Sequence, residues 1–532
     1  MRAAVPSMCL PDFSHASNSR ITARPSFRYG SILEPEPVAG KPTLTMPHLE
    51  VGDYFEMEHI TAFPSEGGRG KRYRGPHWFF READKGYWRS EFITVAPKDR
   101  KVEIETVGDV PAPKSQDKGP FVERRWRVDE SPPAPEEPDQ PNPREFLPSV
   151  RVGWGITLDE TLVRYVDAAS EETPIDPRLV KIAREIVKRA KDKDEEARAI
   201  YKFVGETIQD GQEADGRRVV TGRSGSRQSA FFYLMRLLDT RTELALVKSK
   251  IAMPPAGKMS EVEIYDNVVA RIETGAGKER WLTVRDKFAP FGYVPAELRG
   301  QPAIRLVAGT PRATTPTLGD ADGVRIEGRA VLRDDGAATV ELVQSYVGRM
   351  GIGLRSVFDR VAEGKRAEFI ETRLLANNIP GARLKDFRME NKDDLALPLV
   401  LKLKAEVPQL AKSIGGGKLL LKQLFAVDIA QIAALPQRQT PLLLATSSHV
   451  DVSFQIVTPT AMRLPGSLPT AQLKDGDRSV VVKDTVEGNA IRLVRLVDIP
   501  AGRIQPGAEY ARFVEFTRAA DQLLSREIAL GN

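Results

Sequence analysis

The sequence predicts a multidomain α+β protein. Its 532 residues correspond to three or four domains at ~150 residues each. Hydrophobic residues make up 41% and charged residues 28%, which is enough apolar material for several cores and excludes a disordered, collagen-like or disulfide-scaffold chain. Strand-like runs occupy both ends of the chain, whereas helical runs followed by strands occupy its middle, an order typical of α+β folds.

The composition also limits the chemistry that the protein can perform. Lysine and arginine number 78 against 73 aspartates and glutamates, so the formal charge of +5 is nearly balanced and gives no reason to expect a nucleic-acid partner. The chain has one cysteine and five histidines, and we expect neither a metal nor another cofactor. No apolar run approaches the ~20 residues that cross a bilayer, so no transmembrane segment is predicted.

The N-terminal part of the chain is predicted to form two regions. Residues 1–40 are rich in serine, proline and arginine without periodicity, so we expect disorder, and they lack the apolar stretch of a secretory signal. Within residues 41–150, alternating runs such as Trp88–Val95 predict an antiparallel β domain, with strands missing if the assigned start is wrong. Its last stretch, Ser131–Pro148, is rich in proline and predicts an extended linker.

Residues 151–310 are predicted to form an α+β core. Asp176 followed by a proline predicts a helix start, and Asp194 is expected to cap a second helix. Phe231 and Leu234 belong to an apolar stripe that predicts a third, buried helix. Strands are predicted over Glu243–Lys248, Val262–Ile272 and Arg280–Val284.

Residues 311–532 are predicted to form a β-rich α+β region. Two strand runs flank the hairpin turn Asp334–Gly336. Helices are expected over Leu354–Ala376 and Glu509–Leu524. Gly415–Gly417 predicts a flexible turn rather than a phosphate loop, because the Lys-Ser/Thr pair of a P-loop does not follow it.

Several segments resemble bacterial transglutaminase-like proteins. The run from Asp194 to Val204 resembles the helix that opens their core, and the segment from Trp281 to Leu298 resembles the one that closes it. The run beginning at Gly52 is similar to the uncharacterised β domain that precedes this core. The resemblance spans roughly residues 45–310. It implies a papain/transglutaminase-like core and, because relatives are often exported, a periplasmic or exported location.

The resemblance also identifies three positions where the family carries its chemistry. Active relatives use a cysteine at a helix N-terminus, a histidine as acid and base, and a carboxylate that orients the histidine. These positions fall on Ser226, Asn267 and Thr283. Asparagine cannot accept the proton of a nucleophile, and no cysteine or histidine occurs between residues 78 and 448. A shifted alignment therefore cannot restore the Cys–His pair.

The resemblance thus implies a pseudoenzyme, a transglutaminase-like protein that binds a peptide or glycan, or acts as a scaffold, without catalysis. The expected partner is an extended peptide or a cell-wall-type ligand, contacted by Asp266 and Trp281. The alternative is an active peptidase or amidase in which Ser226 is a non-standard nucleophile and Asp266 or Asp286 its base. A purely structural cell-envelope component is a third hypothesis.

The remaining candidate residues each have an ordinary structural interpretation. Ser226 precedes an apolar helix, which is typical of an N-cap. The histidines lack the close spacing of metal ligands, and the charged residues suit solvated strand faces and loops. These candidates are Cys9 as a thiol, His48, His59 and His77 as metal ligands, Glu56 and Glu58 as paired carboxylates, and Arg69, Lys71, Arg72 and Arg74 as an anion site beside Trp78 and Phe79.

Overall fold

The computed structural model describes residues 72–531, except 171–172, 254, 276, 318, 320–321 and 469, together with five strands upstream of residue 72. The chain divides into two compact units. The first comprises residues 1–76, 96–104 and 152–156, and the second comprises residues 77–95, 105–151 and 157–532. Helices and several separate sheets are present, with strands in the majority, so the α+β prediction is confirmed at that level. The boundaries predicted at residues 40, 150 and 310 stay predictions.

The strands before the helical region form small sheets. Two groups lie upstream, a three-stranded sheet of order β1-β4-β3 and an antiparallel pair of β2 with β5. Farther along, β10, β11 and β8 form a sheet in that order, and β8 contains the run predicted from the sequence. These strands are β1 Met8–Cys9, β2 Asn18–Ser26, β3 Glu36–Pro37, β4 Thr43–Thr45, β5 Tyr54–Ala62, β6 Tyr73–Arg74, β7 Trp78–Phe79, β8 Tyr87–Pro97, β9 Glu103–Val107, β10 Lys114–Lys118, β11 Phe121–Ser131 and β12 Ser149–Trp154.

The proline-rich stretch is irregular, as its composition predicts, apart from a 3-10 turn at Pro143–Glu145. It is nevertheless fixed in place. The buried Glu137 carboxylate accepts hydrogen bonds from the backbone N–H groups of Gln439 and Thr440 at 2.8 and 2.9 Å. Arg438 donates to the carbonyl of Pro138 at 2.7 Å. The stretch is therefore a strap that contacts the C-terminal region rather than a free linker.

Five helices follow the strap. Asp176 caps the second of them as predicted, since its carboxylate accepts from the N–H of Arg178. The N-cap predicted at Asp194, for the third of these helices, was wrong by two residues. Asp192 is the N-cap, and Asp194 lies inside the first turn and pairs with Arg280. The helices are α1 Leu158–Ser170, α2 Pro177–Ile186, α3 Lys193–Thr207, α4 Gly216–Gly222 and α5 Arg227–Leu237.

An antiparallel five-stranded sheet packs against these helices in the order β15-β14-β13-β16-β17. One predicted strand began too early, because Glu261–Ile264 forms a 3-10 turn before β14. Ala270 and Leu282 face the apolar core that contains α3 and α5, whereas Val269 and Trp281 face a second core on the other side. The strands are β13 Thr242–Val247, β14 Asn267–Gly275, β15 Lys278–Leu282, β16 Pro302–Arg305 and β17 Arg312–Thr314, and a further 3-10 turn spans Ala296–Leu298.

A buried carboxylate joins three strands of this sheet. The side chain of Glu243 is 3% exposed and accepts from Arg305 at 2.6 and 2.8 Å. It also lies 3.2 Å from Arg271 and 2.9 Å from Arg241. Burial raises the pKa of Glu243, but the hydrogen bond from Arg305 and the charges of the arginines outweigh burial, so the pKa lies below its ordinary value.

The C-terminal region contains a nine-stranded sheet of order β20-β21-β19-β18-β25-β29-β27-β26, with β28 added beside β29. β18 and β25 pair in parallel, and β18 and β19 form the predicted hairpin. Its strands are β18 Gly323–Leu332, β19 Ala338–Val347, β20 Arg383–Glu390, β21 Leu399–Val407, β25 Ser448–Val457, β26 Thr470–Asp475, β27 Arg478–Lys483, β28 Thr485–Glu487 and β29 Ala490–Ile499. The smaller pairings use β22 Ala411–Gly415, β23 Lys418–Leu421, β24 Leu442–Leu444, β30 Gly502–Ile504 and β31 Ile528–Leu530.

Helices cover this sheet on its apolar side. The single helix predicted over Leu354–Ala376 is wrong, because the extended backbone of Ala362 (φ −54°, ψ 143°) separates two helical stretches. The predicted last helix is confirmed. These helices are α6 Gly348–Arg360, then a continuous stretch of 3-10 Glu363–Lys365, α7 Arg366–Phe369, π-helical Ile370–Leu375 and α8 Ala376–Asn378, then 3-10 Ile429–Ala433 and finally α9 Ala508–Leu524. None of the helices that the structure describes is long and apolar enough to cross a bilayer.

Candidate functional site

Ser226 lies immediately before α5 and caps it. Its Oγ accepts a hydrogen bond from the backbone N–H of Ser229 at 3.2 Å and lies 3.1 Å from the Ser229 Oγ. The preceding Gly225 has φ 131°, and a Cβ there would lie 2.4 Å from the carbonyl of Glu213. The tight turn therefore requires glycine, and the Ser226 hydroxyl satisfies orphan donors of the first helical turn.

Asn267 and Thr283 lie on neighbouring strands at one end of the sheet. Asn267 opens β14 opposite Val247, and its Nδ2 donates to the Oδ1 of Asp266 at 2.7 Å. Thr283 directly follows β15, is buried, and donates its backbone N–H to Tyr293 at 2.9 Å. Because side chains alternate along a strand, both lie on the face of Val269 and Trp281, opposite the face that α5 covers.

The three positions do not assemble a nucleophile with a base. In the described part of the chain, no hydrogen bond joins Ser226 to Asn267, Thr283, Asp266 or Asp286. The nearest partner of the hydroxyl is another hydroxyl, that of Ser229, which does not accept a proton at neutral pH. General acid–base catalysis contributes ~10²–10⁴ in rate, and among the described residues no hydrogen bond links the Ser226 hydroxyl to a group that could supply it.

Tyr201 is a buried phenol that contacts this end of the sheet. Its single O–H lies 2.9 Å from the carbonyl of Ala289 and 3.3 Å from that of Thr283 and is shared between them. Burial, and then the negative charge of Asp286, raise the pKa of Tyr201 well above its ordinary value. The phenol therefore stays protonated and serves as a structural donor to two carbonyls rather than as a base.

The two residues predicted to contact a ligand differ in accessibility. Trp281 is 3% exposed and belongs to an apolar core, with its indole N–H donated to Glu279 at 2.7 Å. A ligand would reach its ring only if this core opened. Asp266 is exposed, and partial burial together with the negative charge of Glu145 raises the pKa of its carboxyl. Asp266 is therefore accessible to a ligand in this structure, whereas Trp281 is not.

Asp266 lines a cavity of about 460 Å³, which we call the Asp266 cavity. Its walls come from five separate segments: His77, Val107, residues 142–145, Tyr165 of α1, and residues 252, 253, 255, 256, 260 and 262–266. The last wall is anchored by the buried Glu105, whose carboxylate accepts from the N–H of Met259 and the hydroxyl of Ser260. The cavity therefore lies beside the strand start that carries Asn267.

A larger cavity of about 710 Å³ is lined by α3, residues 287–291, Asp359 and residues 392–396. Its cations are paired: Lys287 lies 2.9 Å from Asp359, and Arg198 sits over the ring of Phe291 at 4.7 Å. The buried Arg355 fixes one wall by donating to the carbonyls of four residues, Asn391, Lys392, Asp394 and Leu397. Asp394 also lines this cavity, and its carboxylate accepts from the backbone N–H of Ala396 at 3.1 Å.

The fold is similar to that of one solved structure, a putative protease from Parabacteroides distasonis. The similarity covers 97% of this chain and 90% of that chain, with a TM-score of 0.56 and 12% sequence identity. At this identity the likeness concerns the fold alone. No family model and no curated protein matches the chain.

The other sequence candidates have less structural support. Among the side chains that the structure describes, no three His, Cys, Asp or Glu residues converge as a metal site requires. His77 instead contacts Glu263 at 3.5 Å. The side chains of Cys9, His48, His59, Glu56, Glu58, Arg69 and Lys71 lie outside the described residues.

Sequence reasoning did not identify the Asp266 cavity as a whole. Asp266 was a candidate through its neighbour Asn267, but His77, Arg144, Glu145 and Tyr165 come from segments far apart in the chain. No local motif connects them. The only feature of the sequence that could have indicated the cavity is the adjacent charged residues Arg144 and Glu145 near the end of the proline-rich stretch.

Proposed function

We propose that this protein contains a transglutaminase-like core that binds peptide ligands without cleaving or transferring them. The use of Ser226 as a helix cap, with no hydrogen bond from its hydroxyl to a proton acceptor among the described residues, carries this proposal. The order of helices α3 and α5 followed by the antiparallel strands β13–β15 supports the family resemblance. Ser226 lies at the N-terminus of α5, and the resemblance implies such a position for the nucleophile.

The proposal follows from the chemistry available at the three positions. A serine becomes a nucleophile when a neighbouring base removes its proton, and a third group orients that base. The amide of Asn267 donates its hydrogen bond to Asp266. Thr283 carries no charge with which to stabilise a cationic base. Binding needs none of these groups, because shape, hydrogen bonds and apolar walls suffice.

An acyl-transfer assay tests the proposal directly. The purified full chain is incubated with a glutamine-donor peptide and a primary amine, and separately with peptide substrates, and products are followed by mass spectrometry. We expect no turnover above that of the Ser226→Ala variant. Robust turnover by the unaltered chain that disappears in Ser226→Ala would contradict the proposal.

A second candidate function is an active peptidase. The observation that favours it is the fold similarity to a protein described as a putative protease. This candidate requires a proton acceptor within hydrogen-bond reach of Ser226 once substrate is bound. A serine-reactive fluorophosphonate probe separates the two functions: labelling of Ser226 supports the peptidase, and absence of labelling supports a binding protein.

A further inference from the structure

The Asp266 cavity contains a carboxylate without a cationic partner. Asp266 accepts from the Asn267 amide at 2.7 Å, but no lysine, arginine or histidine among the described residues forms an ion pair with it. Partial burial, and to a lesser extent the negative charge of Glu145, raise the pKa of its carboxyl. A ligand with a positive group would supply the cationic partner that Asp266 does not find among these residues.

The same cavity is lined by a guanidinium without an acidic partner. Arg144 is exposed, and its side chain makes no ion pair or hydrogen bond with the described residues. Its backbone N–H, in contrast, is held by the side chain of Asn142 at 3.0 Å, which fixes this part of the wall. A guanidinium presents parallel N–H donors that match the two oxygens of a carboxylate.

The other charges of the cavity are already neutralised. Arg503 pairs with Glu145, and the buried Arg151 lies 3.0 Å from Glu263, which also contacts His77 at 3.5 Å. Asp266 and Arg144 therefore stand apart as one negative and one positive group that pair neither with these residues nor with each other. The unmatched charges are of opposite sign, so a ligand of a single sign would satisfy only one of them.

The remaining lining suits an organic ligand of modest size. Tyr165, Met253 and Val262 contribute aromatic and aliphatic surface to the walls. The Nδ1 of His77 is buried and has no hydrogen-bond partner in the described part of the chain. A cavity of about 460 Å³ lies within the usual range for small-molecule sites, about 300–1,000 Å³.

We infer that the Asp266 cavity binds a short zwitterionic peptide, with its free ammonium on Asp266 and its free carboxylate on Arg144. The apolar walls take the side chains of such a peptide. This inference deepens the proposed function and rests on it for the fate of the ligand, which is bound and not cleaved.

Calorimetric titration of the full chain with dipeptides tests the inference. Three forms of leucyl-leucine are compared: with both ends free, with an acetylated amino end, and with an amidated carboxyl end. We expect saturable binding of the free form and about tenfold or weaker affinity for each blocked form, because each loses a charge-assisted hydrogen bond. Equal affinity for the free and the acetylated dipeptide would overturn the assignment of Asp266.

Two single variants assign each end of the ligand. In Asp266→Asn the free and acetylated forms should bind equally, and in Arg144→Gln the free and amidated forms should bind equally. Both residues are exposed, so we expect both variants to fold, which circular dichroism verifies. Asp393→Asn, at a 92% exposed residue of the larger cavity, is the matched control and should leave all three affinities unchanged.

Failure of this inference can be distinguished from failure of the proposed function. No saturation by leucyl-leucine or alanyl-alanine up to about 10 mM, beyond the range of weak specific ligands, overturns the inference and leaves the proposed absence of catalysis intact. Binding accompanied by Ser226-dependent cleavage of the dipeptide would contradict the proposed absence of catalysis and leave the inferred binding site intact. Binding that Asp266→Asn and Arg144→Gln do not alter would also refute the inference.

Discussion

The substitution Ser226→Ala distinguishes a helix cap from a nucleophile through stability as well as activity. The hydroxyl accepts from the N–H of Ser229 at 3.2 Å and lies 3.1 Å from its side-chain oxygen. Replacing an N-cap serine by alanine costs ~0.5–2 kcal/mol. Because Ser226 is partly exposed and water can replace one partner, we expect a loss of about 1 kcal/mol and a fall in Tm of about 2 °C.

Ser226→Asp is the matched variant. Aspartate also caps helices, and its charge interacts favourably with the positive end of the α5 dipole by ~0.3–1 kcal/mol. The hydroxyl is nevertheless removed. We therefore expect the aspartate variant to be at least as stable as the unaltered chain, while the alanine variant is less stable.

Urea unfolding followed by circular dichroism measures both free energies of unfolding, and the acyl-transfer and dipeptide assays are run on the same samples. The cap interpretation predicts a loss of stability in Ser226→Ala but not in Ser226→Asp, and no effect of either variant on activity. Equal stability of Ser226→Ala and the unaltered chain would refute the cap. Parallel loss of a measured turnover in both variants would show that Ser226 is a nucleophile.

Three further predictions concern the groups that hold the fold around the site. Glu243→Gln should cost ~3–5 kcal/mol in urea unfolding, because Arg305 and its neighbours would keep buried charge without a counter-ion. The pKa of Glu137 is lowered, because its hydrogen bonds and the charge of Arg438 outweigh the opposing effect of burial. The stability that the ionised carboxylate contributes is therefore fully present above its unfolded pKa of ~4.3 and is lost as the pH falls through the lower pKa of the folded chain. The protection of amides 439–440 against exchange, relative to the intrinsic rate at each pH, should therefore fall as the pH drops below ~4.3 in the native chain, and Glu137→Gln should show low protection at every pH. Arg355→Lys should speed exchange of residues 391–397 about tenfold or more, because an ammonium cannot reach four carbonyls, and unchanged exchange would contradict the role of the guanidinium fork.

Local patterns predicted most elements but misplaced several of their ends. Asp176 and the apolar stripe of α5 carry short-range signals, a cap and a period of 3.6 residues, which depend on neighbours in sequence. The α3 cap was misassigned although a local signal separates the two candidates: Asp192 is followed three residues later by Glu195, the spacing of a capping box, and Asp194 is not. In the structure Asp192 accepts from the N–H of Glu195, and Asp194 pairs with Arg280. The break at Ala362 was missed because no proline or cap marks it in the sequence.

The sequence by itself determined that residues 78–448 contain neither a cysteine nor a histidine, because composition cannot be altered by folding. Its apolar stripe at Phe231 and Leu234 also predicted the buried helix α5. Only the tertiary structure decided which charges are already paired. In the sequence, Asp266 and Glu145 are both acidic residues with nothing to distinguish them. In the structure Arg503, more than 350 residues along the chain from Glu145, pairs with Glu145, whereas Asp266 stays exposed in a cavity. Such long-range ion pairs depend on how the segments pack, and no periodicity or motif records them.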